Sequence, residues 1–286
     1  MRIGLATIQY GRRPHLDRQA LAVNRLDGLE RYVVVSMERE PPVIDGAEVV
    51  HLPAADRRAL PLAAARNAAI EQLAGLDLVV MLDVDCIPDP GIIDAYRSAL
   101  RTIGSRRVLL AGSVAHLDRL PGGRSELDDQ DRRRARLEVR RPRPAGLCRQ
   151  PRFELFWSLS YAVCPEVHRR IGGFDERYVG YGAEDTDYAF RARERGAELW
   201  EVPDAWAYHQ PHRAAREDPD AIATIVANVN RFQQTWGTQP MPDWVQRCVD
   251  RGQLHRNPDG TLALGERSGS GSVAGGAPNP SGGSSR

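Results

Sequence analysis

The 286 residues are 42% hydrophobic and 27% charged, with a formal net charge of +1, which suits one large folded domain or two small ones. So neutral a balance excludes a global field for nucleic acid or membrane, and no nucleic-acid partner is expected. No apolar run is long enough for a membrane span, and Met1 leads directly into a strand-like run without signal-peptide regions. Four scattered cysteines, Cys86, Cys148, Cys164 and Cys248, form no C-x-x-C pair, so reduced thiols and a cytoplasmic location are expected.

Arg2–Ile8 reads as a buried first strand, and Pro14 suits the first turn of a following helix. Tyr32–Met37 and Ala47–Leu52 are strand-like by their β-branched content. Pro61 opens an alanine-rich helix to Leu73 that contains Arg66 and Asn67. Leu76–Leu82 returns to strand and ends at Asp83-Val84-Asp85. This alternation predicts a parallel α/β sheet whose ligands lie at the carboxyl ends of the strands, where Thr7–Arg13, Ser36–Glu40 and Asp83–Asp89 fall. Neither a G-x-G-x-x-G loop nor a Walker A loop is present.

A helix is expected over Pro90–Ile103 and a strand over Val108–Val114. Asp118–Arg152 is rich in Arg and Asp and reads as a solvated helix or loop; the functional alternative is a basic flap on donor phosphates or an acidic lipid surface. Phe153–Cys164 reads as a core strand or strand pair. Ile171–Arg193 then places two Gly-centred turns, Gly172–Gly173 and Gly180–Tyr181–Gly182, before a helix starting near Ala183. Glu184, Asp185 and Asp187 in its first turn suit the positive end of the helix dipole. As a set, an acidic pair behind a Gly-aromatic-Gly loop can also accept a proton or bind hydroxyls. Glu198–Val202 and Ala205–His209 are short strands, Ile222–Trp236 is a last helix, and Gly, Ser and Pro predict disorder from about Gly265.

Asp83-x-Asp85 can offer carboxylate oxygens to Mn²⁺ or Mg²⁺; such triplets are frequent in surface turns, but a buried strand presents this one at the ligand edge. His209 and His212 follow a predicted strand, where a lone histidine is more often a satisfied residue than a ligand.

The run GGFDE followed by G-aromatic-G-x-E-D-x-D resembles the C-terminal motif of metal-dependent glycosyltransferases of the GT-A fold. It is most similar to the β-1,4-galactosyltransferase group, with a family-2-like N-terminal half. The resemblance implies one GT-A domain over 1–240: a donor half to about 115, an Arg-rich insert over 118–152 and an acceptor and catalytic half over 153–240. A C-terminal extension (241–264) and the disordered tail (265–286) follow.

By the resemblance, Asp85 is the direct metal ligand and Asp83 contacts the donor ribose or the metal's surroundings. His209, His212 or both complete the Mn²⁺ or Mg²⁺ site. Asp185 is the general base, Glu184 holds acceptor hydroxyls, and Tyr181 takes the place of an aromatic, commonly Trp in the family, that touches both sugars. Donor contacts are Thr7 and Arg13 in the first loop, Glu38 at uracil or ribose, Arg66 at diphosphate or base, Gly172 and Gly173 at the donor sugar, and Asp175 at its hydroxyls. The implied activity is inverting transfer of a hexose, galactose-type first, from a UDP-sugar to a glycan, lipid-linked sugar or small-molecule hydroxyl. Peripheral contact with the inner face of a membrane is open through the Arg-rich segment. Two other classes compete. A sugar-phosphate nucleotidyltransferase would want a Gly-rich first loop with Arg and Lys, and the chain contains no lysine. A non-catalytic sugar- or nucleotide-binding protein would have no need of the acids.

Overall fold

The computed structural model describes residues 1–117, 126–137, 139, 144–212 and 221–265. The chain divides into two compact units, Met1–Met241 and a smaller one that starts at Pro242.

In the first unit, β1 (Ile3–Gln9), β2 (Arg31–Ser36), β3 (Glu48–His51) and β4 (Leu78–Asp83) pair in parallel in the order β3-β2-β1-β4. Every residue of β1 is buried, as an apolar run covered on both faces of a sheet should be. Helix α1 (Arg13–Val23), with Pro14 in its first turn, and α2 (Leu62–Gln72) make the crossovers. The expected parallel α/β half is thus present, and the loops after β1, β2 and β4 share one edge.

Next come β5 (Cys86–Pro88), α3 (Ile92–Ile103), β6 (Val108–His116), α4 (Asp129–Leu137), β7 (Cys148–Arg149), β8 (Ser160–Val163), α5 (Pro165–Ile171), α6 (Glu184–Glu194), β9 (Glu198–His209) and α7 (Ile222–Trp236). Strand directions mix here. β8 lies antiparallel between β4 and β6, β9 runs parallel to β6, and β5 and β7 are antiparallel to β9.

Three expectations change, and the Arg-rich segment holds a helix as one of its two readings expected. Phe153–Leu155 is a 3-10 turn, and only Ser160–Val163 of the apolar run enters the sheet. Pro165–Ile171 is a helix that sequence reading did not assign. The two late strands are one, β9, with its register shifting opposite Gly112/Ser113. The Arg-rich segment contains α4, where Arg136 donates to Tyr208 (2.9 Å) and to Asp89; its parts 118–125, 138 and 140–143 lie outside the described residues.

The smaller unit pairs α8 (Pro242–Asp250) with an antiparallel hairpin of β10 (Leu254–Arg256) and β11 (Leu262–Leu264). The expected disordered tail, beyond Gly265, lies outside the described residues. Among those residues, no helix is long and apolar enough to cross a membrane.

Candidate active site

Sheet register builds the first half of the site. Antiparallel pairing of β5 with β9 sets Cys86 against His209, and the Gln210 N–H donates to the Asp85 carbonyl at 2.7 Å. Asp85 and the end of β9 are therefore neighbours although more than 120 residues separate them in the chain. Gln19, buried in α1, braces the turn by donating to the carbonyls of Asp83 (2.8 Å) and Cys86 (2.9 Å).

Asp85 is 4% exposed, and three cationic or imidazole groups face its carboxylate. His212 Nε2 lies 2.9 Å from Oδ2, His209 Nε2 lies 3.4 Å from Oδ1, and the Arg12 guanidinium contacts Oδ2. Burial opposes the charge on Asp85, but the His212 hydrogen bond, His209 and Arg12 outweigh it and hold the carboxyl down at about 2. The ligand atoms of Asp85, His209 and His212 all lie within 4.8 Å of one another. The two imidazole Nε2 atoms are only 3.3 Å apart, so their lone pairs can converge on one ion. One carboxylate and two imidazoles are a fitting donor set for a divalent transition ion.

Helix α6 builds the second half. Ala183, just before it, has φ of 68°, a left-handed conformation uncommon for a residue with a side chain. No side chain caps the helix in the usual way; Glu184 instead reaches back to accept from the Gly182 N–H at 2.9 Å. Its other oxygen accepts from Arg66 at 3.0 Å, and Glu184 is 3% exposed. Asp185 is less buried, accepting from the Thr186 N–H at 2.8 Å and the Ser158 N–H at 3.4 Å. Burial and the neighbouring Glu184 charge push Asp185 up to about 7, against the opposing pull of Arg66 and the two backbone N–H groups. Asp187 is tied into the protein: Trp236 Nε1 and Arg191 Nε each donate to it at 2.9 Å.

Arg66 joins the halves. Besides Glu184 it reaches Asp83 at 3.4 Å, so one buried guanidinium spans the acids that end β4 and those that open α6. Asp83 is pushed up to about 6, first by burial and then by Asp85 and Glu184, with Arg66 and Arg12 opposing.

The Val179–Tyr181 loop is held from behind by α7. Buried Asn228 donates to the carbonyls of Val179 (2.9 Å) and Tyr181 (3.3 Å). A Cβ on Gly180 would come within 2.9 Å of Thr224 Oγ1, and φ there is +73°, so glycine is needed on both counts. Tyr181 is left 40% exposed, and Trp157, next to the Ser158 that contacts Asp185, is 55% exposed.

The remaining sequence-predicted residues are placed as follows. Thr7 lies within β1 rather than in the first loop, buried, with its hydroxyl donating to the Leu82 carbonyl. Arg13 pairs with Asp17 at 2.6 Å on the exposed side of α1. Glu38 accepts from the Gly11 N–H and thereby holds the loop that carries Arg12. Gly172 and Gly173 both have positive φ, at 92° and 69°, and Asn67 brackets the next residue, accepting from the Phe174 N–H at 2.7 Å and donating to its carbonyl at 3.0 Å. Asp175 is occupied by Arg177 at 2.6 Å. Sequence reading missed Arg12, Gln19, Asn228 and Trp157. It also missed His15, whose Nδ1 is buried without a partner and whose ring lies edge-on to His212 at 6.1 Å. The His-Leu after Arg12-Arg13-Pro14 was the available signal for the last.

Residues 153–213 match the family model described as the N-terminal domain of galactosyltransferase. Validoxylamine A glucosyltransferase of Streptomyces hygroscopicus subsp. jinggangensis is 29% identical over 77 residues, 27% of this chain and 18% of that protein. Chondroitin synthase of Escherichia coli is 25% identical over 195 residues, 60% of this chain and 28% of that one. The chain therefore spans less than a third of either curated relative. Among solved structures, that of GalNAc-T7 with UDP, GalNAc and Mn²⁺ superposes with a TM-score of 0.55 at 13% identity, covering 74% of this chain and 43% of the other. The sheet is the GT-A sheet, the fold seen in that glycosyltransferase structure. The segment that carries Asp185 and His209 lies within the residues that match the galactosyltransferase model.

Proposed function

We propose that this protein is a metal-dependent, inverting glycosyltransferase that moves a hexose, galactose-type first, from a UDP-sugar to a hydroxyl of a glycan or glycoconjugate. The observation that carries the reading is the Arg66 link: it ties Asp83, two residues before the Asp85 of the carboxylate–bis-imidazole cluster, to Glu184, the neighbour of the raised-pKa Asp185. Asp85, His209 and His212 would hold the ion, and the two imidazoles favour Mn²⁺ over the strictly oxygen-seeking Mg²⁺. The ion supplies charge neutralisation for the leaving diphosphate.

Asp185 accepts the acceptor hydroxyl proton as that oxygen attacks the anomeric carbon from the face opposite the diphosphate. The new C–O bond forms as the sugar–phosphate bond breaks, and the bonding pair leaves with UDP. Burial and the Glu184 charge keep the proton affinity of Asp185 high, against the pull of Arg66. Tyr181 and Trp157 offer aromatic faces on which a sugar ring packs. Donor contacts at Arg66, Asp83 and Glu38 lie along the strand edge, Gly172, Gly173 and Asp175 stand in the turn before α6, and Thr7 and Arg13 stand in β1 and at the start of α1.

The test is UDP release from a panel of UDP-, GDP- and TDP-sugars, with Mn²⁺ and with EDTA. Metal-dependent release from one UDP-hexose supports the reading. Equal release in EDTA would remove the metal from it.

A further inference from the structure

Arg12 and His212 converge on the same oxygen of Asp85, Oδ2. Because Asp85 is almost fully buried, water cannot stand in for either partner. A divalent ion bound to that oxygen would lie where the guanidinium now is, and two cations cannot share the place. The histidines can stay, since neutral imidazole coordinates an ion, but Arg12 cannot lose its charge. It has to move.

Its position allows this. Arg12 stands just before α1 on the turn that follows Gly11, where φ is +65°, and its side chain remains 27% exposed, against 6% for Asp85. The turn itself is fixed by Glu38 on the Gly11 N–H, so the side chain can swing without unfolding the loop.

On the reading of Asp85–His209–His212 as the cation site, we propose that Arg12 is an exchangeable counter-charge. It neutralises Asp85 in the cation-free protein and is displaced by the divalent ion. It then pairs with the diphosphate of the incoming nucleotide, for which a planar guanidinium fork is suited. The ion alone must break the Arg12–Asp85 pair with no replacement partner, so it binds weakly. Ion and nucleoside diphosphate together bind cooperatively.

Calorimetric titration of Mn²⁺ into wild type, Arg12→Gln and Arg12→Lys at pH 8, without and with UDP, tests this. Removing the competitor should tighten Mn²⁺ binding in the absence of UDP by about tenfold in Arg12→Gln. Arg12→Lys, which keeps a cation, should stay near wild type and guards against a folding defect. UDP should tighten Mn²⁺ binding more in wild type than in Arg12→Gln. If Arg12→Gln binds Mn²⁺ alone no tighter than wild type while wild type binds Mn²⁺ with UDP, the counter-charge role is overturned and the metal reading stands. If neither binds Mn²⁺ even with UDP, both are overturned.

Discussion

The two acidic motifs of this site look alike in sequence and are treated differently by the fold. Asp83-x-Asp85 ends a buried strand, and Glu184-Asp185 opens a helix, yet each gives one carboxylate to Arg66 and keeps the other apart from it. The two retained acids sit in opposite fields. Asp85 is surrounded by Arg12 and two histidines, which outweigh its burial and hold it down at about 2, whereas burial and then the Glu184 charge push Asp185 up to about 7. A carboxylate kept ionised suits a cation, and one with proton affinity near neutrality suits a base. Division of labour between the motifs thus follows from their neighbours and not from the residue type.

The largest effect should come from the base. Asp185→Asn is expected to lower kcat by about 10³-fold, within the range for loss of general base catalysis, measured as UDP release with a saturating acceptor. In wild type, kcat/KM should rise as pH increases through about 7, because only ionised Asp185 accepts a proton. The stability linkage has the opposite sign. A carboxyl whose folded pKa is raised favours the fold fully at low pH, and that contribution is lost as pH rises through about 7. Asp185→Asn should flatten this part of the stability profile in denaturant melts.

Arg66 sharpens the contrast from the structural side. Arg66→Leu leaves Glu184 buried beside Asp83 without its partner, and unfolding free energy should fall by about 3–5 kcal/mol in urea titration. A loss below about 1 kcal/mol would mean that the two motifs are not joined through this residue.

A smaller effect is expected at α7. Asn228→Ala removes both hydrogen bonds to the Val179–Tyr181 loop, and kcat/KM for the acceptor should drop by about tenfold with Mn²⁺ and UDP binding retained. Equal losses for acceptor and UDP would show that Asn228 supports the whole fold and not the loop.

The parts legible in sequence were those with local causes. Buried parallel strands write themselves as apolar runs, as in Leu78–Leu82, and the E-D-x-D motif directly follows the glycines that deliver it. Contacts made across the fold were not legible. Arg66 meets Glu184 over a separation of 118 residues, and the β5–β9 register that sets Asp85 beside His209 involves a three-residue strand too short to show a period. Sequence reading named Arg13 and not Arg12, whose contact with Asp85 depends on the turn at Gly11 that aims Arg12 inward and leaves Arg13 on the exposed helix side. Within Phe153–Cys164, hydrophobicity alone did not separate the 3-10 turn from the strand that follows it.

The most direct test is calorimetric titration of UDP, in the presence of Mn²⁺, into wild type, Asp85→Asn and Asp185→Asn. The account predicts that Asp185→Asn binds UDP as wild type does and that Asp85→Asn binds it at least about tenfold more weakly. Wild-type affinity in Asp85→Asn, or lost affinity in Asp185→Asn, would contradict the division between a cation-holding and a proton-accepting acid.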